Sequence, residues 1–280
     1  MRLSRFAILG VAVSAMVGCS EPSDGPTTPN IPPLAYVRYI NAVPDTLNTT
    51  VRFIDQVEYS PISFANVAFR GLAQGGYQPT AAGARKFRVF TSDAVNFSTA
   101  GNTTVLVDTT ITFEAGKYYT LLHLGYARAG ATPKQRIVNI ADAIPATPAG
   151  IAFRAIHAGL DVGNVDIYAT ATTTEAITGA PLFANVSLNT VSAYLPRATG
   201  AFAARVTAAG STTAVISAAA PAGTAGSSSV DPLGGATIAG SIITAIAFPA
   251  TPANSAGARF TTPGVVYFVD KQPPRTTPNP

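Results

Sequence analysis

Tyr36-Val37-Arg38-Tyr39-Ile40-Asn41-Ala42-Val43-Pro44-Asp45 and Phe153-Arg154-Ala155-Ile156-His157-Ala158-Gly159-Leu160-Asp161 are two versions of one segment. Arg38, Ile40, Ala42 and Asp45 fall against Arg154, Ile156, Ala158 and Asp161 at an offset of 116 residues. The correspondence continues outward in the same order. Val51 and Phe53 face Val165 and Ile167, Phe64-Ala65-Asn66-Val67 returns unchanged as Phe183-Ala184-Asn185-Val186, and Tyr77 matches Tyr194. Gly83, Arg88 and Val89 match Gly200, Arg205 and Val206, and Ala115-Gly116 and Thr120 match Ala239-Gly240 and Thr244. Landmarks that keep their order over such a span mark a chain built from two copies of one unit.

Each copy reads as strands. Val105 to Phe113 places β-branched or aromatic residues at odd positions, with Asp108, Thr110 and Thr112 between them, the period of two of a half-buried strand. Phe87 and Val89 alternate with Lys86 and Arg88 in the same way. Runs of this length, separated by Gly, Pro, Asn and Ser clusters, recur about seven times per copy. The expected fold is all-β: two tandem antiparallel immunoglobulin-like β-sandwiches. The expected boundaries are 1–18 for a signal peptide, 19–33 for a disordered tether, 34–144 and 151–270 for the repeats, 145–150 for a linker and 271–280 for a disordered tail. So short a linker suggests sandwiches lying nearly end to end. The apolar stretch Ala236 to Ala250 is too short for a membrane helix and aligns with a turn and strand of the first copy. It is expected to be a buried strand pair, and Val265 to Val269 a further strand pairing with the second sandwich.

The N-terminus carries Arg2 and Arg5, an apolar run from Phe6 to Val17, then Gly18 and Cys19, the order of an export signal. Met16-Val17-Gly18-Cys19 resembles the lipobox of bacterial lipoproteins, with Met16 where leucine is usual. The resemblance implies cleavage before Cys19 and a diacylglycerol on its thiol. Two or three acyl chains give a stable anchor where one does not. Cys19 is the only cysteine of the chain, so no internal disulfide can form and both sandwiches must hold by packing. Ser20 to Asn30 is rich in Pro, Ser and Thr and reads as a tether. Ser20 is not the Asp that retains lipoproteins in the inner membrane, which favours the outer membrane or the cell surface.

The landmark segments together resemble a bacterial family, domain of unknown function 4397 (DUF4397). Asn41 to Asp45 and His157 to Asp161 look like its opening strand and turn. Phe64 to Val67 and Phe183 to Val186 look like its middle motif, Gly83 to Val89 a later strand, and Glu114 to Leu121 its closing strand. The second copy departs at Ser241-Ile242-Ile243 and carries an Ala, Gly and Ser-rich insertion from Ala218 to Gly235. Such domains occur as tandem copies in exported lipoproteins. The resemblance implies a fold and a location, and brings no chemistry with it.

Few residues point to catalysis. Lys and Arg number 18 against 14 Asp and Glu, with the arginines scattered singly, so no basic stripe for nucleic acid is expected. The two histidines, His123 and His157, have no neighbouring ligands for zinc and sit in no nucleophile motif, and each reads as a hydrogen-bonded strand histidine. Asp45 and Asp161 recur just after a strand, where calcium would need more acidic neighbours, and each is expected to bond its own turn. Tyr118-Tyr119 and the Tyr36/Tyr39 pair could offer a sugar platform, although alternation turns one of each pair inward. The sequons at Asn48, Asn96, Asn102 and Asn185 read as chance matches in a lipobox-bearing chain. The expectation is a non-enzymatic envelope module without cofactor or metal. It would meet the membrane through its lipid, and an envelope protein or glycan through its sandwiches. A glycan-binding module is the alternative, and an unrecognised hydrolase the third reading.

Overall fold

The computed structural model describes residues 32–55, 64–92, 104–256 and 259–275. The signal segment, Cys19, most of the tether, Asn96, Asn102 and the last residues of the tail lie outside them. Residues Pro33–Pro280 form one compact unit, and its described residues contain strands and no helix.

The first repeat opens with β1 (Leu34–Ala42), which pairs in parallel with β8 (Tyr118–Leu124). β9 (Arg136–Asp142) extends this sheet beyond β8, and β4 (Gly71–Leu72) and β5 (Gln78–Ala81) pair with the other edge of β1. The facing sheet has the order β3 (Phe64–Val67), β2 (Thr49–Phe53), β6 (Gly83–Thr91), β7 (Val105–Phe113). The second repeat follows the same plan. β10 (Ile151–His157) lies between β13 (Leu195–Arg197) and β16 (Ile242–Phe248), and β17 (Gly264–Lys271) closes the sheet. Its facing sheet is β12 (Phe183–Val186), β11 (Val165–Thr170), β14 (Ala203–Ala208), β15 (Ala214–Ala219). The counterpart of β4 shrinks to a single bridge, Ile156 to Val191, where the first repeat pairs Ile40 with Leu72.

The sheets are therefore not wholly antiparallel, because the opening and closing strands of each repeat run parallel. That pairing places Arg38 beside Thr120 and Arg154 beside Thr244, which explains why these four landmarks recur together. The unchanged Phe-Ala-Asn-Val motif also has a physical reason. Its asparagines, Asn66 and Asn185, take φ of 51° and 48°, a left-handed conformation that Asn tolerates better than other side-chain-bearing residues. Each accepts a side-chain bond, from Asn48 and Asn164 at 2.9 Å, beside a register shift in the ladder to β2 or β11.

Alternation then builds three cores. Odd positions of β1 and β8, among them Val37, Tyr39 and Leu121, pack with Val51, Phe87 and Val89 inside the first sandwich. Odd positions of β10 and β16, among them Phe153 and Ile243, pack with Ile167 and Val206 inside the second. The even positions make a third core. Ile40, Leu122 and Leu124 of the first repeat meet Ile156, Ile246 and Phe248 of the second. The two sandwiches thus lie face to face, and the end-to-end arrangement expected from the short linker is overturned. These strands are apolar on both faces, and an end-to-end pair would leave one of them wet. Each such side chain contributes roughly 1.5–3 kcal/mol on burial, so exposing this layer would cost on the order of 10 kcal/mol.

The stretch expected to be a buried strand pair holds one strand, β16, because Ala236 to Gly240 form turns before it, and β17 covers Val265 to Val269. The packed chain also runs past residue 270. Pro273 is buried against the second repeat, so an ordered segment stands where the sequence suggested the tail would begin.

Candidate functional site

At one end of the middle layer the charged landmarks meet. Arg38 of β1 donates from Nε to Thr120 Oγ1 at 2.8 Å, and Thr120 Oγ1 donates to Asp142 Oδ2 at 2.6 Å. Asp142 Oδ1 lies 2.5 Å from Arg154 Nη2 of the other repeat. The second half repeats the pattern: Arg154 Nε donates to Thr244 Oγ1, Thr244 donates to Asp270, and Asp270 Oδ1 lies 2.6 Å from Arg38 Nη1. Tyr77 and Tyr194 complete it. Their hydroxyls donate to Asp142 and Asp270 at 2.8 and 2.5 Å, while their rings lie 4.6 and 4.5 Å from the Arg38 and Arg154 guanidinium carbons.

Two arginines and two aspartates therefore form crossed ion pairs about a pseudo-two-fold axis, with the side chains at most 3% exposed. Burial is the largest single influence on the Arg38 guanidinium and would depress it, but Asp270, Tyr77 and Asp142 together outweigh burial and hold the group above its ordinary value. Arg154 is raised in the same way, burial opposed by Asp142. Burial pushes the Tyr77 and Tyr194 hydroxyls up, so they stay protonated donors. The charges balance within the cluster, and the arrangement fixes the two repeats in one orientation. Of its members, Arg38, Tyr77, Thr120 and their partners were visible as repeat landmarks. Asp142 and Asp270 were missed. Their signal was an apolar-x-Asp ending shared by Ile140-Ala141-Asp142 and Phe268-Val269-Asp270, near the end of each repeat.

The other sequence candidates fall elsewhere. His123 is fully buried, with Nε2 3.0 Å from Gln135 Oε1 and Nδ1 2.8 Å from the Tyr39 hydroxyl. The Gln135 carbonyl requires a proton on Nε2, which leaves Nδ1 to accept from Tyr39. Burial lowers the imidazole to about 4. His157 is also buried, with Nε2 2.6 Å from the Gly163 carbonyl, and burial lowers it too. His123 is thus held by Tyr39 and Gln135, and His157 by Gly163 and the Gly159 amide. Among the described residues no group of three or more His, Cys, Asp and Glu side chains could hold a metal.

Asp45 does not bond its own turn. Its carboxylate accepts from the Ala127 and Arg128 amides at 2.7 and 3.1 Å and from Arg128 Nε at 3.0 Å, anchoring the connection between β8 and β9. Asp161, its counterpart, is exposed. Sequence spacing could not show this, because the bond joins residues 82 apart.

The tyrosine pairs divide as alternation requires. Tyr39 and Tyr119 are buried in the first sandwich, whereas Tyr36 and Tyr118 are half-buried on the opposite face of the sheet. The latter two stack at 4.8 Å with 17° between their planes, and Tyr77 meets Tyr118 edge-on at 5.2 Å. Beside them opens a cleft of about 490 Å³, with Glu114, Gly116, Lys117 and Ala141 in its wall and Glu114 and Lys117 exposed. An aromatic wall with one cation and one carboxylate at the rim suits a neutral or mixed ligand held by ring contacts.

Among curated proteins none matches the chain significantly. Residues 35–168, from the second residue of β1 through the first sandwich and into β11 of the second, match the family described as Domain of unknown function (DUF4397).

Proposed function

We propose that the chain is a non-enzymatic envelope protein, anchored through a lipid on Cys19 to the outer membrane or cell surface, whose paired sandwiches bind a macromolecular partner. The observation that carries this reading is the buried, charge-balanced joint between the repeats. It fixes two sandwiches as one rigid body and leaves their loops and outer edges as the presenting surface. The export-signal pattern, the lone Cys19 and the polar tether support a position at a membrane surface. The histidines support it as well, since both are committed to hydrogen bonds inside the fold. Both halves being copies of one domain is part of the reading, and the shared strand order supports it.

Glycan binding stands second, favoured by the stacked, half-buried Tyr36 and Tyr118 beside the cleft. The test has two arms. Expressed in a bacterial host with labelled palmitate, the chain should carry label and fractionate with membranes, and Cys19→Ser should abolish both. The immobilised chain from Ser20 onward should then capture a saturable partner from envelope extracts. An unlabelled, freely soluble wild-type chain would remove the anchor, and a blank capture with folded protein would remove the binding role.

A further inference from the structure

The two repeats differ at one equivalent place, and the difference points to a ligand. The turn before each closing strand carries a glycine in the left-handed region, Gly116 with φ 74° and Gly240 with φ 85°. A methyl group built on Gly240 would come within 3.0 Å of Pro274 Cδ and 3.3 Å of Pro273 Cβ, whereas one built on Gly116 would meet nothing within 4 Å. In the second repeat this spot is therefore covered by the chain itself. After β17 the backbone continues through Gln272, Pro273 and Pro274 across the turn. Pro273 is buried there, and Gln272 Oε1 accepts from the Gly234 amide at 2.6 Å.

In the first repeat the corresponding segment leaves after Ile144. The Ile144 amide bonds back to the Asp142 carbonyl at 2.9 Å, and the chain goes on as the linker to β10. What remains is the cleft of about 490 Å³ bounded by Gly116, Lys117, Tyr118, Ala141, Ala143 and Ile144. Here the first repeat has Tyr36 and Tyr118 in register, where the second has Ala152 and Ile242. The site that the second repeat fills with its two prolines and Thr147 is open in the first, with Tyr118 in its wall and Tyr36 stacked behind that ring.

We propose that this cleft binds an extended, proline-containing peptide segment, lying where Gln272 to Pro274 lie in the second repeat. The proposal deepens the binding reading above and rests on it. Proline segments lose little entropy on binding because their backbone is already extended, and tyrosine faces are the surfaces on which proline rings pack. Glu114 and Lys117 at the rim suit a segment with both polar and basic residues, such as the Gln272-Pro273-Pro274-Arg275 run itself.

A peptide with the sequence of residues 271–280 is titrated into the chain from Ser20 onward and followed by calorimetry and by the aromatic proton resonances. Saturable binding is expected, weakened at least tenfold when the prolines of the peptide become alanine and at least tenfold by Tyr118→Ala. Ala141→Trp, at an exposed strand position in the cleft wall, should block binding while leaving the circular dichroism and unfolding midpoint unchanged. It covers the case in which Tyr118→Ala fails to fold. No binding up to millimolar peptide overturns the proposal, as does binding that survives Ala141→Trp or a cleft that takes a neutral oligosaccharide and not the peptide. Such results would leave any partner captured from the envelope standing, because that partner could use another face.

Discussion

Replacing Asp142 by leucine is expected to cost about 4 kcal/mol. The carboxylate lies 2.5 Å from Arg154 Nη2, whose side chain is only 3% exposed, so its removal leaves a guanidinium buried without its nearest counter-ion. Asp270 lies 3.8 Å from Arg154 Nε and compensates only in part. Breaking one side of a buried pair costs about 3–5 kcal/mol. The Thr120 and Tyr77 hydroxyls lose their acceptor as well, but Tyr77 is half-buried and can turn to water, so the total stays near the middle of that range. About 4 kcal/mol is nearly a thousandfold in the folding equilibrium and a large share of the roughly 5–15 kcal/mol of a typical domain. Arg154→Met should cost a similar amount. The double variant should recover most of the loss and stand within about 2 kcal/mol of the wild type, because apolar groups then replace both charges. The assay is urea unfolding at pH 7 of the wild type, both single variants and the double variant, read as a double-mutant cycle. A single cost below about 1 kcal/mol, the size found for exposed pairs, would refute the reasoning, as would a double variant that costs the sum of the singles.

Protonation of His123 should destabilise the protein in acid. Its folded value near 4 lies below the ordinary 6.5, so the unfolded chain binds the extra proton first. Stability should therefore fall as pH drops from about 6.5 towards 4, by on the order of 3 kcal/mol from this residue, and His123→Phe should flatten that limb of the denaturation profile. Gly125→Ala should cost about 2–3 kcal/mol in the same unfolding assay. Its φ is 106°, and the added methyl would meet the Gln135 Cα and the Lys134 carbonyl at 2.6 Å. Gly116→Ala, in open space, should cost only about 1–2 kcal/mol from its backbone conformation.

Period-two alternation in Phe87 to Val89 and in Val105 to Phe113 was enough to read strands, because those strands face water on one side. The arrangement of the halves is carried by strands of a different pattern. Tyr118 to Leu124 is apolar at nearly every position, which is the pattern of a strand buried on both faces, and it asked for a second cover that an end-to-end pair could not give. The repeat landmarks pointed to Arg38, Tyr77 and Thr120 and to their counterparts without saying why they recur. Their reason is a cluster in which bonds within each copy, such as Arg38 to Thr120, meet ion pairs between the copies, and no spacing along the chain reveals it. Asp45 was likewise legible as a recurring residue, while its partner on a hairpin 82 residues away was not. The cleft beside Tyr118 depends on which way the chain turns after Asp142, where the Ile144 amide bonds back to the Asp142 carbonyl.

Small-angle X-ray scattering of the Pro33–Pro280 fragment tests the central claim, that the repeats form one face-to-face body. A compact chain of roughly 250 residues should have a radius of gyration of about 18 Å. A value near 18–19 Å, unchanged between low and high salt, is what the buried joint predicts. A value of about 24 Å, as expected for two such sandwiches joined only at their ends, would contradict it.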